Sequence, residues 1–357
     1  MNKRALIAMS GGVDSSVAAF LIKSEGFESM GVTMKLFANE DIGISREHSC
    51  CSLADVEDAR SVACRLGIPY YVFNFSDGFE SDVIKPFIAS YEKGLTPNPC
   101  IECNRHLKFE RLYNRAKVLG CDYVATGHYA RIEKDSVSGR YLLKKAVDDA
   151  KDQSYVLYSM TQDQLEHTLF PLGSMCKQET RRIAEEQGFI NAHKHESQDI
   201  CFVQNGKYCD FIEEYTGKKY DKGPFVDTDG NILGSHNGII RYTVGQRKGL
   251  GLALNEPMYV RSIDAENNTV VLGRDSQLYS ETLTAKNINL ISVPRIRGVM
   301  HLKAKIRYRQ EAQWASVTQP DIDTLSVVFD KPQRAITGGQ AVVLYDGDVV
   351  VGGGTIE

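Results

Sequence analysis

A chain of 357 residues is long for one domain and predicts two or three. Its 42% hydrophobic content is that of an ordinary globular protein, and neither a bilayer-length apolar run nor a signal-peptide core follows Met1-Asn2-Lys3-Arg4, so a cytoplasmic protein without membrane partners is expected. Nine cysteines, an odd number, do not make a secreted disulfide framework, and a net charge of −4 excludes blanket nucleic-acid affinity but not a local basic surface.

The apolar run Ala5–Met9 predicts a buried strand of a parallel sheet. It feeds Ser10-Gly11-Gly12-Val13-Asp14-Ser15-Ser16, behind which Val17, Ala18, Leu21 and Ile22 share a helical face that Gly26 ends. An ordinary N-cap turn needs one hydroxyl or carboxylate, not two glycines, three serines and an aspartate. Paired glycines let the backbone approach a ligand, and N–H groups at a helix start favour phosphate. The glycine-to-lysine spacing of a Walker loop is absent.

Ser29–Phe37 predicts a second strand, and a polar segment then carries Cys50-Cys51. Ala54, Val56, Ala59, Val62, Ala63 and Leu66 form a helical stripe, Tyr70–Phe75 a third strand, and Phe79–Tyr91 another helix. This alternation implies βαβ units and a Rossmann-like parallel sheet, whose ligands lie beyond the carboxyl ends of the strands. In Leu95-Thr96-Pro97-Asn98-Pro99-Cys100-Ile101-Glu102-Cys103-Asn104 the two prolines forbid a helix and hold the chain extended. Asn104 then caps a helix from about Arg105 to Leu119, and Cys103 at its entrance, beside Arg105 and His106, has its thiolate favoured. Asp122–Tyr129 reads as strand and turn, bringing Gly127 and His128 near the phosphate loop. Lys151-Asp152-Gln153-Ser154 is polar, Thr161-x-x-Gln164 is a capping box opening a helix to Phe170, and about Lys177–Gln187 is helical. Glu196–Phe202 places Cys201 in a strand-like segment.

From about residue 205 cysteine nearly disappears and Asp-Gly hairpin turns enter at Asp229-Gly230 and Asp346-Gly347. The expected domains are 1–205, α/β and catalytic; 206–277, a small linking domain; and 278–357, a β-barrel-like domain that contacts RNA. In His301–Arg309 alternation sets Leu302, Ala304, Ile306 and Tyr308 on one face and a basic row on the other, and Lys286 to Arg309 holds seven Lys or Arg and no acid. With Arg241, Arg247 and Lys248 this pattern fits a phosphate backbone.

The SGGVDSS loop resembles the pyrophosphate loop of the ATP pyrophosphatases. Together with TPNPCxxCN, ATGHY, KDQS, QDICF, TVGQRKGLG, KIRYRQ and GGQAVVLYDG, in this order from end to end, the chain resembles the bacterial tRNA-specific 2-thiouridylases of the MnmA type. The resemblance implies ATP along Ala8, Met9, Ser10, Gly11, Gly12, Val13, Asp14, Ser15 and Ser16, with Met34 and Gly127 beside it and Mg2+ bridging the phosphates. It implies adenylation of a flipped-out wobble uridine at O2, because a carbonyl oxygen leaves poorly and AMP leaves readily. Sulfur then arrives as a persulfide on Cys201, passed on by a sulfur-carrier protein or cysteine desulfurase; Cys103 attacks that persulfide or the base intermediate, and the two thiols end as a disulfide. It maps base contact onto Asn98, Pro99 and Cys100, and other tRNA contact onto His128, Lys151, Asp152, Gln153, Arg307, Tyr308 and Gln340.

Many members carry Asp where this chain has Cys100. The thiol is a poorer proton shuttle, and with Cys103 and Cys201 it makes three thiolates, enough for an iron–sulfur cluster with one open iron. Two other readings compete: an amide ligase built on the same loop, which needs ammonia but no paired cysteines, and a non-catalytic RNA-binding module with a relic loop, against which the intact Asp14 and serines argue.

Overall fold

The computed structural model describes residues 3–37, 53–194, 200–203 and 206–357; Cys50-Cys51 and the Glu196–Asp199 part of the QDICF segment lie outside them. The chain divides into two compact units. The first comprises Met1–Val83, Cys100–Lys207 and Asp348–Val350; the second comprises Ile84–Pro99, Tyr208–Gly347 and Val351–Glu357.

In the first unit β1 (Arg4–Ala8), β2 (Glu28–Lys35), β3 (Tyr70–Asn74) and β4 (Tyr123–Ala125) are parallel, in the spatial order β3-β2-β1-β4, with Thr168–Leu169 added beyond β4. Alternation along β1 sorts its side chains to two faces. Ala5 and Ile7 pack with α1 (Val13–Ser24) and α2 (Leu53–Leu66), while Leu6 packs with Leu112, Tyr113 and Ala116 of the helix Leu112–Val118. Helices therefore cover both sides, and the loop after β1 opens at the carboxyl edge, between β2 and β4 in strand order, where such sheets bind ligands.

Four local expectations are corrected. A helix begins at Pro99 and runs to Glu102, because proline at a helix's first position gives up only an N–H that would be unpaired anyway. Asn104 is no cap: it lies inside the wide-turn helix Cys103–Arg111, 2% exposed, its Nδ2 donating to Val156 O at 3.0 Å. The Thr161–Gln164 capping box forms, but its helix stops at Glu166 so that Thr168–Leu169 can pair with β4. Cys201 sits in a turn closed by Val203 N donating to Ile200 O, not in a strand.

In the second unit six strands, Tyr279–Leu290, Thr324–Arg334, Gln313–Asp321, Met300–Lys305, Ala341–Asp346 and Val349–Ile356, follow one another and close when the last pairs with the first. Closure removes the sheet edges, and Leu302, Ala304, Val317, Val327, Phe329 and Leu344 fill the interior. A smaller sheet of Tyr259–Asp264, Thr269–Gly273, Gly223–Val226 and Ile232–His236 packs around Phe225, Tyr242, Val260 and Leu272. Both Asp-Gly turns join adjacent strands, as expected.

Candidate active site

Gly11 turns the chain at φ 76°, and a Cβ there would overlap the Asp55 carbonyl oxygen of α2 and lie 2.8 Å from the Asp55 Cα. Gly12 is the N-cap of α1 with extended angles, φ −90° and ψ 162°, and offers no side-chain cap, so the first N–H groups of α1 are left to an anion. The serines divide the work. Ser15 Oγ accepts from Ser10 N at 3.1 Å and donates to Gly12 O at 3.0 Å, and Ser16 Oγ donates to the same oxygen at 3.0 Å. Ser15 and Ser16 are buried; of the three hydroxyls expected to serve a ligand, only that of Ser10 is exposed.

Side chains from far along the chain hold this loop. Lys177, the first residue of the helix Lys177–Glu186 and 8% exposed, donates to both Asp14 carboxylate oxygens at 2.7 and 2.8 Å. The Tyr129 hydroxyl donates to Asp14 Oδ1 at 2.8 Å. Asn191 Nδ2 donates to Gly11 O and Ser16 Oγ, both at 2.9 Å, and buries an Oδ1 that has no hydrogen-bond partner among the described residues. Lys194 Nζ reaches Gly11 O at 3.4 Å and binds Asp55 and Asp58 at 2.7 and 2.6 Å. Burial works against the Lys194 charge, but the two carboxylates outweigh it and lift its pKa above the ordinary lysine value.

Gly127 closes the loop from β4: a Cβ there would lie 2.8 Å from the Asp14 carbonyl carbon and the Ser15 nitrogen. The KDQS motif fixes this approach. Gln153 exchanges hydrogen bonds with Tyr129, its N donating to Tyr129 O at 2.9 Å and its Oε1 accepting from Tyr129 N at 3.0 Å. Asp152 accepts from Ala146 N, Ser154 N and Ser154 Oγ, and Lys151 N donates to Asp148 O. His128 is buried between Phe109 and Phe170, with Nδ1 2.7 Å from Thr126 Oγ1, so its ring supports the turn instead of presenting a surface. Ala8 ends β1 and is half-buried, Met9 is buried, and Val13 packs into the core; Met34, near the end of β2, packs partly against the Leu6–Val32 cluster.

Cys103 is half-buried at the start of its helix and Cys100 is exposed. The short helix Ser76–Phe79 packs on the Cys103–Arg111 helix, with Gly78 so close that a Cβ would lie 2.7 Å from the Arg111 guanidinium carbon. Phe202, next to the half-buried Cys201, sets its ring edge-on to Phe79 at 5.6 Å. Both cysteine-bearing segments are thus anchored on one small helix. Among the described residues no three His, Cys, Asp or Glu side chains are gathered to hold a metal, Cys100, Cys103 and Cys201 included. Asp14, the loop's carboxylate, has both oxygens engaged by Lys177.

In the second unit Gln340 Nε2 donates to Thr96 O at 2.7 Å and reaches Pro97 O at 3.5 Å, which holds the segment leading to Asn98 and Pro99. Pro99 is buried and Asn98 half-buried. Arg307 turns inward: its Nη2 donates to Ala335 O at 2.7 Å, Thr337 Oγ1 at 2.9 Å and Val244 O at 3.4 Å. Tyr308, placed on the inner face by alternation, is 38% exposed because the strand ends at Lys305. Arg309 is exposed, and Lys303 and Lys305 are half-buried.

Lys177, Tyr129, Asn191 and Lys194 were not legible as a site, since each lies in an unremarkable local pattern. The only sequence hint was Tyr129 within ATGHY.

A family model described as tRNA methyl transferase HUP domain matches residues 3–205. A tRNA methyl transferase PRC-barrel domain follows at 209–274 and an aminomethyltransferase beta-barrel domain at 280–356. The chain is 53% identical over its full length to 99% of a tRNA-specific 2-thiouridylase MnmA of Clostridioides difficile, and 54% identical over 99% of its length to 99% of one from Acetivibrio thermocellus. Among solved structures, a 4-thiouridine synthetase–RNA complex with bound ATP shares 19% identity at a TM-score of 0.39, over 60% of this chain and 50% of that one, too distant to carry an inference.

Proposed function

This chain belongs to the MnmA family of tRNA-specific 2-thiouridylases, tRNA-modifying sulfurtransferases, and from that premise we propose an ATP-dependent route through an adenylated base and a cysteine persulfide. The observation that supports it is the loop itself: unpaired N–H groups of α1 face the carboxyl edge of the sheet, while Lys177, Tyr129, Asn191 and Lys194 hold the turn rigid before any ligand arrives. ATP lies along residues 8–16 with Gly127 at its side. Uridine O2 attacks the α-phosphorus, the bond to the bridging oxygen breaks, pyrophosphate departs with the electron pair, and the N3 proton is lost to water.

In the second half-reaction the Cys103 thiolate attacks the inner sulfur of the Cys201 persulfide. A disulfide forms, hydrosulfide is released and adds to C2, AMP leaves with the electron pair of the C2–O2 bond, and the proton on sulfur passes to N3, giving the 2-thio base; a thiol reductant then returns two electrons. The sulfur comes from a carrier protein or cysteine desulfurase that loads Cys201. We assign catalysis to 1–205, a connecting role to 206–277 and RNA contact to 278–357. Asn98, Cys100, Lys151 and Tyr308 are the side chains proposed to meet tRNA. Pro99, His128, Asp152, Gln153, Arg307 and Gln340 act behind them, as their internal packing and hydrogen bonds imply.

The test is Cys201→Ser with tRNA and ATP. Pyrophosphate release should persist while mass analysis of the tRNA finds no 2-thiouridine. Thiolation at the wild-type rate would move the persulfide elsewhere, and pyrophosphate release by wild type that ignores tRNA but responds to ammonia would favour an amide ligase.

A further inference from the structure

Two lysines touch the phosphate loop and a third touches His128, next to Gly127, and they differ in what they face. Lys177 and Lys194 are neutralised by Asp14 and by Asp55 and Asp58. Lys108, half-buried on the Cys103–Arg111 helix, meets no carboxylate among the described residues; its polar contact is His128 Nε2 at 3.3 Å. An ammonium carries only donors, so Nε2 accepts and the ring proton sits on Nδ1, facing Thr126 Oγ1 at 2.7 Å. Burial first, and then Lys108, hold the His128 pKa well below the ordinary histidine value. The lysine therefore leans on a neutral group, and a partly desolvated cation without a counter-charge is costly unless an anion completes it.

Position says which anion. His128 follows Gly127, whose backbone lies against Asp14 and Ser15 at the start of α1. In a wide-turn helix, hydrogen bonds link residues five apart, so Lys108 stands one turn beyond Cys103 on the same side. The ammonium, carried on the same helix as the thiol, thus meets the residue that follows Gly127, whose backbone touches the helix start proposed to receive phosphate.

We propose that Lys108 is a further catalytic residue, binding the non-bridging oxygens of the ATP α-phosphate and stabilising the charge that builds there as uridine O2 attacks. This rests on the adenylation route above. Lys108 transfers no proton and supplies charge alone; the same contact persists on the AMP phosphate until AMP leaves.

The experiment compares wild type, Lys108→Met and Lys108→Arg in tRNA-dependent pyrophosphate release, with melting temperature, tRNA affinity at two salt concentrations and Cys103 alkylation rate measured on each. Lys108→Met should lower kcat by about a hundredfold, as loss of one oxyanion-stabilising group does, with KM for tRNA, its salt dependence and melting little changed, and Lys108→Arg should recover most of the loss. An unchanged kcat in Lys108→Met would overturn the proposal. So would a weaker, less salt-dependent tRNA affinity at unchanged kcat, which would make the anion an RNA phosphate. Slower Cys103 alkylation with normal pyrophosphate release would make it the thiolate, and a loss of kcat in both variants that tracks lower melting would make the role structural. If wild type itself releases no pyrophosphate with tRNA, the adenylation route fails, which is a different result.

Discussion

The paired glycines of the phosphate loop are not equivalent, and substituting each by alanine separates folding from ligand approach. At Gly11 the backbone is left-handed, φ 76°, and a methyl group would drive into the Asp55 main chain, which α2 cannot readily move. Left-handed strain of about 1–2 kcal/mol and an overpacking penalty of roughly 1–3 kcal/mol add to about 2–5 kcal/mol. In a folding unit of this size that is a fall of roughly 5–15 °C in Tm. Gly12 has φ −90°, and a methyl group there would meet only Ser10 Oγ at 3.6 Å, with open space beyond. Gly12→Ala should therefore leave the free protein within about 1 kcal/mol of wild type, the gain through the unfolded chain being offset by alanine's weakness at an N-cap. Its methyl group would occupy the space in front of the loop, so KM for ATP should rise about tenfold or more. Thermal melting of both variants, with ATP titration of pyrophosphate release, reads the two effects. Melting of Gly11→Ala together with wild type, or a loss of stability in Gly12→Ala as large as in Gly11→Ala, would refute this division of roles.

Lys177→Met removes both ion-pair contacts of Asp14 but leaves the Tyr129 hydroxyl bond, so with Asp14 partly exposed the loss should be about 2–3 kcal/mol, less than for a fully buried pair, and pyrophosphate release should collapse; a Tm within 1 °C of wild type, about half a kcal/mol, would contradict it. Arg307→Ala should lower barrel stability by about 1.5–3 kcal/mol because its guanidinium is spent on internal carbonyl and hydroxyl oxygens, whereas Arg309→Ala should leave melting alone and flatten the salt dependence of tRNA binding; the opposite assignment in a filter-binding series would reverse their roles. His128 is held neutral, its folded pKa depressed by burial and by Lys108, so its stabilising effect is full above the unfolded value of about 6.5 and is lost as pH falls toward the folded value, by at most about 1.4 kcal/mol per pH unit. Urea melts at pH 7.5 and 5.5 should show wild type losing about 1 kcal/mol more than His128→Gln, in which the remaining histidines cancel; equal losses would show that His128 does not titrate differently on folding.

The parts of this fold that were legible are those written locally. The run Ala5–Met9, the Thr161–Gln164 box and the two Asp-Gly turns each carry their structural instruction within a few residues, and each forms. Pro99 misled because proline has two meanings: inside a helix it removes a hydrogen bond, and at the first position it removes nothing. Asn104 misled in the same way, since an asparagine before a helical pattern reads as a cap until the helix is seen to begin five residues earlier.

The functional loop shows the harder limit. Its seven residues announce a phosphate site, yet nothing in them says that two of its hydroxyls are turned to the loop's own backbone, nor that its carboxylate is matched by a lysine more than 160 positions away. Lys177 heads an ordinary polar helix and Asn191 a plain turn; only the packing of the Lys177–Glu186 helix against α1 makes either of them part of the site. A motif thus records the groups that face the ligand, where chemistry restricts the choice to a few residue types. The groups that hold the motif in place need only arrive at the right point with a donor or a charge, and many sequences bring one there. That asymmetry explains why the loop could be assigned from sequence while its clamp, and the contact of Lys108 with His128, had to be found in three dimensions.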